Sequence, residues 1–304
     1  MSRCLLAISH LIDSGLGVKN NEQSRTYLMK LHYFLQEEVK VISSSDYRAL
    51  VDLLSSRLSD FFQSQTSSDH LKALQITLCV ICCGGALFND LKSNLHYWLL
   101  TLGDERSIEN DISELMSLVL AHYVTAYGPI FSEKIDNLVS EFLLRIAREK
   151  SDYKRIISIR CLREIGAKSP SNLYRFMDNC LRVTVPLLQD SKLNVRTEAS
   201  KFLCSILWAI NSREFRIQQH SSSVNVSKTY YSAILDSVSV NFRKSGISFF
   251  SKSSVREEVI HGSILTLYEF YKAAVICLKR EYLVTIVEAY NRSSEEEVFE
   301  YSYS

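Results

Sequence analysis

Glycine and proline are scarce: the chain has only 9 Gly and 3 Pro in 304 residues. A β-sandwich or barrel needs a turn about every 8–12 residues, and turns favour these two residue types. Their shortage, beside long stretches of apolar residues spaced three and four apart, excludes a sheet protein and predicts an all-α chain. An excess of charge of one sign is also missing. The 35 basic and 34 acidic residues are interspersed and leave a net charge of +1, so no nucleic acid or anionic membrane surface is expected as the main partner.

No run reaches the ~18 apolar residues of a membrane span, so none is expected. Met1-Ser-Arg-Cys-Leu-Leu-Ala-Ile-Ser-His10 is too short and polar for a signal peptide. Asn225-Val-Ser and Asn291-Arg-Ser fit the glycosylation sequon, but without a secretion signal they read as chance matches. Most of the 8 cysteines, Cys79, Cys82, Cys161, Cys204 and Cys277 among them, lie in apolar helical stretches. They read as buried reduced thiols of a cytoplasmic protein.

Signatures of chemistry are lacking too. There is no Gly-rich phosphate loop, no His-Arg-Asp and no Asp-Phe-Gly. Gly15-Leu-Gly17 is too short for a nucleotide fingerprint, and Cys79-x-x-Cys82-Cys83 has no second pair at zinc-finger spacing. No catalytic, cofactor-binding or metal residue is expected, and no cofactor. Glu37-Glu38 and Glu295-Glu-Glu297 read as solvated faces.

What is present is helical periodicity with punctuation. Residues 1–14 form a first helix ended by Ser14-Gly15. Asn20 or Asn21 caps the next, which turns Leu28, Leu31 and Leu35 inward. Ser43-Ser-Ser-Asp46 caps a third and Ser67-Ser-Asp69 a fourth, which Gly84-Gly85 stops. Helices follow over about 87–102 and from Ile108 to Tyr127, ended by Gly128-Pro129. The next carries Ile135 to Ile146. Another carries Ile156 to Ile165, closed by Gly166 and Ser169-Pro170, with Pro170 in the first turn of its successor. The remaining helices lie around Tyr230–Phe242, Val255–Leu278 and Glu281–Ala289, and polar loops cover 218–227 and 245–254. Trp98 and Trp208 are expected inside their hairpins. Residues 1–292 should be one helical array and 293–304 a frayed tail.

Second helices of hairpins begin near Arg25, Lys72, Asn110, Arg155, Arg196 and Arg256, in steps of 47, 38, 45, 41 and 60. Four steps fall near the ~40–47-residue period of HEAT and armadillo arrays. The predicted fold is an α-α superhelix of about six helical hairpins, each burying its apolar stripe against its neighbours. The sharpest turn is Asp190-Ser-Lys-Leu-Asn-Val-Arg-Thr-Glu-Ala199. Asp190 is placed to accept backbone N–H groups or pair with a neighbour's Arg. Val195-Arg196 opens the following helix, with Ala199, Phe202, Leu203, Ile206, Leu207 and Ile210 on one face. Arg196 is expected to pair with an acid in the adjacent repeat. His261-Gly262 marks a tight helix contact, where Gly lets a backbone approach and His hydrogen-bonds to it. The structural repeat signature is therefore Asp190, Val195, Arg196, Ala199, His261 and Gly262.

Several of these segments also carry a family resemblance. Lys154-Arg-Ile-Ile-Ser-Ile-Arg-Cys-Leu-Arg-Glu-Ile-Gly-Ala-Lys-Ser-Pro170 resembles the basic pair, Val-Leu-Arg-Glu-Leu-Ala helix and Pro of target-of-rapamycin (TOR) kinases. The Asp190–Ala199 hairpin looks like the family's next one, with Arg213-Glu214 after it. Ile260-His-Gly-Ser-Ile-Leu-Thr-Leu-Tyr-Glu-Phe270 resembles its Ile-His-Gly helix. Gly17 to Lys40 and Ser67 to Val80 are similar more loosely. Order and spacing follow the N-terminal end of the family across nearly the whole chain. Gly166 in place of Ala, Ser158 within an alanine pair, Arg160 at an apolar position and a Ser-rich linker before Val255 depart from it.

The resemblance implies a divergent, non-catalytic HEAT scaffold. Its partners would be another TOR protomer, a Raptor-like subunit and, as in animals and some fungi, a Rheb-like small GTPase. It would be cytoplasmic and recruited to endomembranes through partners. The sequence ends before any kinase region, so it reads as a fragment or truncated product. The residues alone also leave open an unrelated HEAT adaptor of transport or trafficking, and an enzyme whose site shows as a deep pocket with strongly shifted pKa values.

Overall fold

A computed structural model of the chain describes residues 3–16, 22–102, 109–127, 133–218, 230–232, 234–236, 238–241 and 257–277. Every regular element among these residues is helical, so the chain is all-α and built of HEAT/armadillo-like hairpins. Contacts cluster it into two units, Met1–Ile130 and Phe131–Ser304.

The first unit holds α1 (Arg3–Gly15), α2 (Glu22–Glu37), α3 (Ser44–Gln63), α4 (Ser67–Cys83), α5 (Gly85–Leu102) and α6 (Asn110–Tyr127). A 3-10 turn, Glu38–Lys40, follows α2. The helices pair as α1/α2, α3/α4 and α5/α6, the last through Tyr123 of α6, whose hydroxyl donates to the Lys92 carbonyl of α5. The first helices of the pairs, α1, α3 and α5, form one layer, and the second helices, α2, α4 and α6, form the other. Within the layers α3 and α5 run parallel, as do α2 and α4. Tyr47 and Ser55 of α3 meet Asp90 and Asn94 of α5 in the same order. Cys79 and Cys83 of α4 likewise meet the carbonyls of Leu28 and His32.

Caps explain where these helices start and stop. Ser43 accepts the Asp46 N–H at 3.1 Å, as its cap cluster predicts. The next cap is Thr66, one residue before the predicted Ser67, and its hydroxyl accepts the Asp69 N–H. Only Gly84 separates α4 from α5. Gly84 and Gly85 both have φ near +62°, a conformation that costs glycine nothing. Leu50, Leu54, Leu58 and Phe62 of α3 are buried, as are Leu74 of α4 and Leu91 and Leu95 of α5. Phe62 stacks on Trp98 with ring centroids 5.7 Å apart.

The second unit holds α7 (Glu133–Arg148), α8 (Asp152–Lys168), α9 (Pro170–Tyr174), α10 (Met177–Leu187), α11 (Leu193–Gln218) and α12 (Glu257–Cys277). Its hairpins are α7/α8, α9–α10/α11, and the stretch at 230–241 with α12. α8, α11 and α12 form the second-helix layer. Second helices start at Glu22, Ser67, Asn110, Asp152, Leu193 and Glu257, in steps of 45, 43, 42, 41 and 64. The first four are more even than the steps read from the sequence.

Two expectations, for Gly166 and for Trp208, are corrected here. Gly166 does not close α8. The helix runs on to Lys168, and Gly166 lies against Leu173 and Ser205. The helix after Pro170 breaks at Arg175-Phe176, dividing α9 from α10. α11 continues past Ile210 to Gln218. Trp208 is 43% exposed, because it continues the face of exposed Lys201 and half-buried Cys204 and not the buried stripe of Phe202, Leu203, Ile206 and Ile210. The Asn20 or Asn21 cap, the Gly128-Pro129 stop, most of the two polar loops, the helix at 281–289 and the tail at 293–304 lie outside the described residues.

Candidate functional site

The predicted signature gathers where α8, α11 and α12 stack. Asp190 sits in the turn between α10 and α11. One carboxylate oxygen accepts the Lys192 N–H at 2.8 Å, and the other accepts from Arg155 of the preceding hairpin at 2.7 Å. Arg155 also donates to Asp152. Burial by itself would lower the Arg155 pKa, but the hydrogen bonds and charges of Asp152 and Asp190 raise it overall.

Arg196 reaches no carboxylate among the described residues. Its Nη1 donates to the backbone carbonyls of Asp190 (2.7 Å) and Ser191 (3.1 Å), and its Nε donates to His261 Nδ1 at 3.1 Å. The expected acid in the adjacent repeat is replaced by an imidazole. His261 correspondingly accepts from this guanidinium, and no backbone partner is found for it among the described residues. Arg155 and Arg196 are each the fourth residue of their helix. Two equivalent arginines from successive repeats thus converge on one turn. Val195 and Ala199 are fully buried on the inner face of α11.

Gly262 has the close approach expected of it. A Cβ there would stand 1.8 Å from the Leu188 carbonyl oxygen and 2.6 Å from its carbon. Only glycine lets α12 lie this near the end of α10.

A second polar seam, not foreseen, lies along α8 and α11. Glu198 accepts from Arg160 (3.3 Å), Arg163 (2.8 Å) and Lys201 (3.1 Å). Burial by itself would raise its pKa. The hydrogen bond from Lys201 and the charges of Arg160, Arg163 and Lys201 outweigh that and hold the carboxyl below the usual range. Arg160, out of place against an apolar pattern, is thus a buried ion-pair partner. The signal was there, but its partner is 38 residues away and on another helix. A third connection joins α11 to α12: Ser200 donates to Glu269 at 3.2 Å, and Lys272 pairs with Glu269 at 2.8 Å.

These side chains are turned toward one another, an arrangement that fixes helix register. The thiols run opposite to what a nucleophile or soft-metal ligand needs. Burial pushes Cys161 and Cys180 up to about 12 and Cys83 and Cys204 to about 11. Cys79 is buried while Cys82 is exposed, so the Cys79-x-x-Cys82-Cys83 thiols do not share one environment. Among the described residues no group of three His, Cys, Asp or Glu could hold a metal ion. No helix among them is long and apolar enough to cross a membrane.

No protein-family model matches the chain. It is 22% identical over 275 residues to a curated relative, the serine/threonine-protein kinase mTor of Drosophila melanogaster. The match takes in 88% of this chain and 11% of that kinase, so the chain spans about a tenth of the relative's length. Among solved structures, a designed armadillo repeat protein in complex with peptide (KR)4 is 13% identical with a TM-score of 0.38, covering 88% of this chain and 100% of that one. An engineered protein is 16% identical with a TM-score of 0.38, covering 97% and 68%. Neither of these two likenesses carries an argument here.

Proposed function

We propose that the chain is a non-catalytic HEAT-repeat scaffold segment of a TOR-like serine/threonine kinase, acting through protein contacts in growth and nutrient signalling. One observation carries this reading: the similarity to the Drosophila kinase runs along 88% of the chain. Its support is the repeat itself, whose second helices recur at 41–45 residues over five starts. Residues 1–292 are the repeat-bearing part and 293–304 a tail. The partners of such a segment are a second TOR protomer, a Raptor-like subunit and a Rheb-like GTPase. Its place is the cytoplasm, with recruitment to endomembranes through those partners. The mechanism is allosteric. A bound partner shifts the pose of the scaffold only as far as its affinities for the two poses differ.

The test is isolation of the native polypeptide with an antibody raised against residues 133–218, followed by mass spectrometry. Kinase-domain peptides in the same polypeptide or co-purifying with it, together with a Raptor-like subunit, are expected. Their absence, with coat or transport proteins in their place, would replace this reading with an unrelated HEAT adaptor of transport or trafficking.

A further inference from the structure

We infer that the outer face of α12, formed by Ile264, Tyr268 and Tyr271, is the docking face for the second helix of one further hairpin of the same polypeptide, lying parallel to α12. The inference rests on the scaffold reading above, which makes the chain part of a longer array.

The carrying observation is positional equivalence. Ile264, Tyr268 and Tyr271 are the eighth, twelfth and fifteenth residues of α12. The same places on α11 are Ser200, Cys204 and Leu207, and on α8 they are Ile159, Arg163 and Gly166. On both of those helices these positions face the next second helix. Ser200 bonds Glu269 of α12. Arg163 bonds Glu198 of α11, and a Cβ on Gly166 would stand 3.1 Å from that of Ser205. Ser200, Leu207, Ile159 and Gly166 are accordingly buried. On α12 the equivalents are large, apolar or aromatic, and exposed: Ile264 54%, Tyr268 57% and Tyr271 54%. One isolated apolar residue on a surface is ordinary, but three at i, i+4 and i+7 make a helix-packing stripe.

The repeat also describes the occupant. On the helix facing such a stripe the sixth and thirteenth residues lie nearest it: Glu198 and Ser205 of α11 meet Arg163 and Gly166, and Glu269, the thirteenth of α12, meets Ser200, while its sixth, Gly262, lies against the end of α10. Against two tyrosines, a helix with small or apolar residues at those two places fits.

The experiment uses the native full-length polypeptide carrying the photo-crosslinker p-benzoylphenylalanine in place of Tyr268. The expected product is an intrachain crosslink to a second helix C-terminal to Cys277, with unchanged polypeptide mass. A crosslink to a second copy or another protein, or a solvent-exposed probe that forms none, overturns the inference while leaving the scaffold reading standing. A native polypeptide with no repeat after α12 overturns both.

Discussion

Replacing Gly262 with Ala tests the closest packing in the second unit. The new Cβ would stand 1.8 Å from the Leu188 carbonyl oxygen and 2.6 Å from its carbon. Restoring van der Waals separation takes a movement of roughly 1.5 Å or more. The obstacle is backbone, and it is tied down. Leu188, Gln189 and Asp190 each donate an N–H to a carbonyl of α10, and the Asp190 carbonyl accepts from Arg196. Either this turn yields and loses some of those bonds, or α12 backs away from α11. Overpacking of this kind costs about 1–3 kcal/mol, and a pinned backbone neighbour places it at the upper end. Alanine returns up to about 1 kcal/mol in helix propensity, which leaves a net loss of about 2 kcal/mol.

The assay is urea denaturation of a Trp98→Phe background, in which Trp208 of α11 is the sole tryptophan and reports on this unit. With an m-value near 2 kcal/mol/M, the midpoint falls by about 1 M. Gly166→Ala is the control. Its Cβ meets the end of the buried Leu173 side chain at 2.6 Å and Ser205 Cβ at 3.1 Å, and a side-chain methyl yields more cheaply than a pinned carbonyl. Its midpoint should change little. A Gly262→Ala variant with an undiminished midpoint, or a Gly166→Ala variant that loses as much, would refute the reasoning.

Three other perturbations follow from the same geometry. Arg196→Ala removes donors to two backbone carbonyls and His261 and should cost about 2 kcal/mol in the Trp208 assay; an unchanged midpoint would show that the turn holds without it. Glu198 has a depressed pKa, so its stabilisation is complete above the usual carboxylate range and is lost as pH falls through the depressed value. Glu198→Gln should therefore be destabilised at neutral pH and show a flatter acid limb, and identical limbs in the two proteins would contradict the ion-pair account. Trp98→Ala removes the ring stacked on Phe62 and should cost about 3–5 kcal/mol, measured by loss of helical circular dichroism; a loss below about 1 kcal/mol would mean that the site collapses around the gap.

The helices, most of their ends and the repeat are legible in the amino-acid order alone. Apolar spacing is local, and so are caps: Ser43, Gly84 and Pro170 act on backbone groups within a turn of themselves. Asp190 could be singled out for the same reason, since one of its bonds goes to Lys192, two residues on. Gly262 was legible because a glycine inside an apolar helix has few uses besides close approach.

Which groups meet across helices is settled by the packing of one helix on another. Arg160 looked like an intruder until Glu198 lay beside it. Arg196 was read as the partner of an acid and found His261 and two carbonyls instead. Trp208 has the composition of a core residue, yet it falls on the half-exposed side of α11. Gly166 was read as a stop because a stop is glycine's local role, whereas here its missing Cβ lets Leu173 and Ser205 come close. A side chain's intrinsic preferences are carried by its own type. Its partner depends on the rotation and offset of a neighbouring helix, set jointly by every contact in the stack.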